Sequence, residues 1–171
     1  MSPFKILILA LNLVALTASG QEINQIKVGV NGLTCSACTR SVEMSLRQLD
    51  FIDSVAMSLE NTEGMIYTKK ILPVDFTRIA KAVTDAGFSV RFLHAHFSLN
   101  NNNIAIDPSG CFQMDGHNFQ WINFRPSTVR ATFEFIDSPF LPGNEYSKWK
   151  KKLKGPSCFQ GQSVFHLVHV E

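Results

Sequence analysis

Beyond residue 20, no run in the 171-residue chain is long and apolar enough to cross a bilayer, so no spanning helix is expected after the first segment. Charge of one sign is equally scarce. Sixteen Lys and Arg against fourteen Asp and Glu leave a formal +2. No segment carries the dense basic charge of a phosphate-tracking surface, so nucleic acid is not an expected partner. Four cysteines are too few for a disulfide-dense miniprotein, which means each has to be placed individually. A chain that is 45% hydrophobic and 18% charged, with ten glycines in no fixed period, is neither collagenous, coiled-coil nor disordered. What remains is an ordinary globular balance and a length suited to one or two domains.

The first twenty residues read as a leader rather than as part of a fold. Lys5 precedes an apolar run from Ile6 to Leu16, broken by Asn12, and the small residues Thr17, Ala18, Ser19 and Gly20 follow. Ala18-Ser19-Gly20 suits a small-x-small cleavage site that would leave Gln21 as the new N-terminus, with no lipobox cysteine at the junction. The run is shorter than the ~20 residues a membrane span needs, which favours cleavage over anchoring. The expected location is therefore exported, periplasmic or secreted, where exposed thiols must be protected, bound or bridged.

Residues 26–97 read as two strand-helix-strand units. Ile26, Val28 and Val30 alternate as a first strand; Cys38, Val42, Leu46 and Leu49 share one face of a helix over 36–49. Phe51 to Leu59 and Met65 to Lys70 flank the turn residues 60–64 as a hairpin. Asp75 caps a second helix with Phe76, Ile79, Ala80 and Val83 on one side; Gly87 stops it, and Phe88 to Phe97 makes a fourth strand. The order βαββαβ is that of a ferredoxin-like sandwich, and its two apolar helix faces supply a core that needs no metal. Asn100 to Asn103 interrupts the apolar pattern, giving expected units of 21–98 and 104–171. The second unit reads as mostly β: strands over 111–114, 118–124, 128–136 and 162–170, a hairpin turn at Asp115-Gly116, and a short helix capped by Asn144 and ended by Gly155-Pro156. The fold class is thus α+β, a ferredoxin-like sandwich followed by a small barrel or sandwich with one helix, OB-like by strand count and length.

Chemistry concentrates in Gly32-Leu33-Thr34-Cys35-Ser36-Ala37-Cys38, between the first strand and the first helix. Thiols at i and i+3 can converge on one ion, and a helix N-terminus lowers thiol pKa. Soft thiolates select Cu(I) or Zn(II) over hard cations. Two sulfurs without nearby imidazole leave a tetrahedral zinc shell half filled but suit two-coordinate Cu(I).

These residues, together with Asp85-Ala86-Gly87-Phe88 before the fourth strand, make residues 26–97 similar to the heavy-metal-associated domain of copper chaperones and of the N-terminal modules of copper-transporting P-type ATPases. The resemblance implies that Cys35 and Cys38 bind the ion and pass it to a partner by ligand exchange. It implies loop support from Thr34, from Leu33, which replaces the family's usual methionine with a similar volume, and from Phe88, the aromatic of ATPase-type modules. The second half carries no recognised resemblance.

Other readings stand beside these. Cys35 and Cys38 could form a disulfide without a metal role, making the chain an interaction module of an envelope assembly, or could act in a thiol-disulfide oxidoreductase. His94 and His96, at i and i+2 of a strand, share a face and are either accessory ligands or plain solvent-facing residues. His117, His166 and His169 have no interpretable spacing, and the last two fall on opposite faces. Met57 and Met65 are expected in the core, as are Phe119, Trp121, Phe133 and Phe135. Lys148 to Lys154 reads as a solvated helix face, with an acidic partner or a membrane surface as the alternatives. Cys111 and Cys158 lie outside any Cys-x-x-Cys and have no adjacent histidine. They are expected to form a structural disulfide, the alternative being a second metal site with His117 or His166. The combined expectation is a non-enzymatic, exported metal-binding protein that captures Cu(I), or else Zn(II) or another soft ion, for sequestration or delivery to a partner protein.

Overall fold

The computed structural model of the chain describes residues 23, 25–98, 104–123, 130–153 and 158–170. The leader read at 1–20, the asparagine run, and Gly155-Pro156 lie outside them. Strand β1 (Gln25–Asn31) buries Ile26, Val28 and Val30 and turns its odd positions to the opposite face, as strict alternation requires. Helix α1 (Ser36–Arg47) follows and buries Val42 and Leu46. Strands β2 (Ile52–Ser58) and β3 (Glu63–Thr68) pair antiparallel. Strand β3 starts at Glu63 and so takes in Gly64, expected in the turn. Gly64 is buried, and a Cβ there would meet the Met57 sulfur at 2.5 Å, so a side chain at this position would have to displace Met57. Helix α2 (Phe76–Asp85) is capped by Asp75, whose carboxylate accepts from the Arg78 N–H at 3.0 Å, and buries Phe76, Ile79, Ala80, Ala82 and Val83. Gly87, at φ +91°, ends it in the left-handed conformation that glycine adopts freely. Strand β4 (Ser89–Ser98) closes the first unit.

The second half does not close into an OB-like barrel. Strands β5 (Cys111–Met114), β6 (His117–Trp121), β7 (Arg130–Phe135) and β8 (Val164–Val170) continue the first sheet, giving eight strands in the order β2-β3-β1-β4-β7-β8-β6-β5. The cause is the free edge of β4. One edge pairs with β1 from Ser89 to Ala95, and the other would expose a row of unpaired N–H and C=O groups. Strand β7 covers it, His94 to Ser98 pairing with Glu134 to Arg130. All pairings are antiparallel except β6 with β8.

A single apolar core runs under both halves on the helix side of the sheet. Phe97, Phe119, Phe133, Phe135 and Phe140 are fully buried, Trp121 nearly so, and the rings of Phe97 and Phe133 meet edge-on at 5.2 Å. Phe76, at the start of α2, reaches across: its ring lies 4.5 Å from Phe135 and 5.6 Å from Phe165. Helix α2 thus packs on strands from both halves. Met57 packs against the core, but Met65 does not. Its register partner Lys27 faces away from the helices, so Met65 lines the open face.

After a 3-10 turn at Ser138–Phe140, helix α3 (Gly143–Lys152) buries no residue. It begins one residue before Asn144, with Pro142 as its cap residue; the Asn144 carboxamide instead accepts from the neighbouring Glu145 N–H at 3.0 Å. Among the described residues no helix is long and apolar enough to cross a membrane.

Candidate metal centre

The loop after β1 is shaped by one backbone requirement. Gly32 sits at φ +87°, where L side chains are strained, and turns the chain so that Leu33 drops into the core at 4% exposure. Leu33 anchors the loop from below, while Thr34 and Cys35 stay exposed. Phe88 flanks it: a Cβ on Gly32 would lie 3.6 Å from the Phe88 ring. Phe88 is held there by its own N–H, which donates to the Val83 carbonyl at 3.2 Å just past the Gly87 stop.

Cys35 is the N-cap of α1. Its backbone is extended, and its sulfur accepts from the Cys38 N–H at 3.1 Å. A thiolate at this position gains from an unpaired helix N–H and from the positive end of the helix dipole. The Thr39 N–H and hydroxyl both donate to the Cys35 carbonyl at 3.1 Å, which fixes the loop onto the helix. Cys38 is half-buried in the first turn, and the two Cα atoms are 5.2 Å apart with their sulfurs in contact. That spacing serves a disulfide, or two thiolates on one ion. No charged residue lies between Asn31 and Thr39, so the thiols have no competing carboxylate in the loop.

The histidines are not brought to this loop. His94 pairs with Lys27, four residues along β1 from Asn31, which is about 13 Å of strand. Both His94 and His96 face away from the helices, into a shallow cavity of about 320 Å³ that Lys27, Met65 and Thr132 also line. Burial pushes the His94 pKa down, the Lys27 ammonium adds to this and Glu63 opposes it. His94 is therefore neutral at pH 7, and its 3.9 Å approach to Glu134 is not an ion pair there. Glu134 is itself raised, first by burial and then by Glu145. Among the described residues no group of three His, Cys, Asp or Glu is placed to hold a metal. The donors available at the loop are thus the two sulfurs.

The remaining histidines have structural partners. A ring nitrogen of His117 lies 2.7 Å from the Val74 carbonyl, and His169 packs beside Trp121 and Phe133. His166 lies 2.7 Å from the Asp137 carboxylate, which also accepts its backbone N–H. Nothing in the sequence announced that pairing, because the partners are 29 residues apart. Cys111 and Cys158 meet with their Cα atoms 6.0 Å apart.

Residues 27–89 match the family model of the heavy-metal-associated domain. No family match extends to the C-terminal half. The segment is 36% identical over 73 residues to the copper-transporting ATPase RAN1 of Arabidopsis thaliana, covering 42% of this chain and 7% of that protein. It is 32% identical over 81 residues to copper-transporting ATPase 1 of Rhizobium meliloti, covering 46% and 10%. The chain therefore spans a tenth or less of these curated relatives. Among solved structures, a copper binding domain from the P-type ATPase HMA7 is 29% identical, covering 40% of this chain and 90% of that one, with a TM-score of 0.36.

Proposed function

We propose that the protein is an exported carrier of Cu(I), which it holds between Cys35 and Cys38 and surrenders to a partner protein by thiolate exchange. The observation that carries the reading is the donor set: two sulfurs at the open N-terminus of α1, one exposed and one half-buried, with no third ligand in reach among the described residues. Two soft donors complete a linear Cu(I) shell but only half of a zinc tetrahedron, which places Zn(II) and other soft ions second. The similar ATPases are copper-transporting, which supports the same ion.

Transfer needs no redox step. A thiolate, thioether or imidazole of the acceptor enters the open coordination sphere, Cu(I) becomes transiently three-coordinate, and Cys35 or Cys38 leaves and takes up a proton. Cys35, exposed at the helix cap, is suited to leave first, while half-buried Cys38 keeps its hold. The added strands leave this route open: β7 pairs with β4 from His94 onward, five residues or about 16 Å from the Ser89 end beside the loop.

The 5.2 Å Cα separation also supports a second reading, an oxidised pair acting as a structural or redox disulfide. A competition titration of reduced protein against a Cu(I) chelator separates the two. The carrier binds one Cu(I) far more tightly than Zn(II) and loses it in both Cys35→Ser and Cys38→Ser. Equal binding by wild type and both variants overturns the assignment, and recovery from the native compartment of a stable Cys35–Cys38 disulfide without copper favours the second reading.

A further inference from the structure

Outside helix α3, six of the eight described Lys and Arg side chains already have anionic or carbonyl partners. Lys27 and Arg91 reach Glu63, Arg47 reaches Glu43, Arg78 reaches Asp50, Lys81 reaches Asp85, and Lys69 donates to the Asp50 carbonyl. Helix α3 is built differently. Lys148, Lys150, Lys151 and Lys152 are all exposed, and among the described residues none has an ion pair or hydrogen-bond partner. The helix carries one acid, Glu145, in its first turn.

At about 100° per residue the four lysines sweep an arc of about 200°, and Tyr146, Trp149 and Leu153 fall together on the remainder. Those three are half-buried, so the apolar arc leans on the body of the protein and the lysine arc faces out. Trp149 marks the boundary, with the Lys152 ammonium 4.6 Å above its ring.

We propose that the lysine face of α3 is an electrostatic seat on an anionic phospholipid surface. Three features favour a bilayer over an acidic protein. The cations are all lysines, point charges on flexible stems, whereas fixed carboxylates are best matched by the planar fork of arginine, which this helix lacks. The face is convex, with its charges spread over a wide arc, which suits a diffuse layer of headgroups. An indole at the boundary between charged and apolar arcs sits at the depth where aromatic side chains prefer headgroups. Seating is peripheral, since the apolar arc is already turned inward.

The test is co-sedimentation of the purified protein with vesicles of phosphatidylcholine mixed with phosphatidylglycerol, against phosphatidylcholine alone and soluble poly-glutamate. The expected result is binding to the mixed vesicles beyond any on the neutral ones, falling steeply with salt. Each lysine near such a surface strengthens binding about fivefold, so replacing all four with glutamine weakens it several hundredfold, while the fourfold arginine variant retains it. These positions are exposed, and an unchanged thermal melt separates lost binding from lost fold. Equal sedimentation with both vesicle types, no effect of the glutamine variant, or binding to poly-glutamate without binding to vesicles overturns the proposal.

Discussion

Phe76→Ala tests whether the two halves of the sheet stand or fall together. The side chain is fully buried, and its ring centroid lies 4.5 Å from Phe135, 5.6 Å from His117 and Phe165, and 6.1 Å from Phe119. Those four partners belong to the C-terminal strands, while Phe76 itself belongs to α2 of the first half. Truncating a buried phenylalanine costs about 3–5 kcal/mol through lost transfer energy and an unfilled cavity. The Asp75 cap survives, and alanine's better helix propensity returns only about 0.5 kcal/mol. The net loss should be about 3.5 kcal/mol, which for this chain length lowers the melting temperature by about 7–14 °C. Unfolding would be followed by far-UV circular dichroism, to which α1 and α2 contribute two of the three described helices, and by Trp121 fluorescence in a Trp149→Phe background. One core under one sheet requires both probes to shift together. A loss under about 1.5 kcal/mol, or a Trp121 transition that moves while the helical signal stays, would refute the shared core.

Two further outcomes can be checked with the same purified protein. A disulfide between Cys111 and Cys158, whose Cα atoms lie 6.0 Å apart, would close a loop of 47 positions, and its reduction should then cost about 4 kcal/mol in the chain-entropy model. Non-reducing peptide mapping that recovers both peptides with alkylatable thiols from exported protein would rule the link out. For His94, burial holds the folded pKa below the ordinary histidine value of about 6.5, so its contribution to stability is present above about pH 6.5 and is lost as pH falls through the folded value. His94→Asn should flatten the stability profile as pH falls below about 6.5, with Lys27, Glu63 and Glu134 as the charged neighbours left in place. An unchanged slope in a urea titration series would show that another group sets the acid limb.

The sequence by itself determined the local elements and the loop. The alternation of Ile26, Val28 and Val30, the helical spacing of Val42 and Leu46, the Asp75 cap and the Gly87 stop are properties of neighbouring residues, and the structure keeps each of them. Gly32 and the two cysteines three apart likewise define the loop within a dozen residues, and the aromatic residues Phe119, Trp121, Phe133 and Phe135 announce a core by type alone. Partner choice over long range was decided only by the tertiary structure. A strand pattern states which face is apolar but not which edge it will meet, so the open edge of β4, rather than any turn signal, made the second half an extension of the first sheet in place of a barrel. Face assignment across that sheet then set Met65, His94 and His96 on the side away from the helices. The Asp137–His166 and Cys111–Cys158 meetings depend on the same pairing, since residues 29 and 47 positions apart come together only after the strands between them have chosen their neighbours.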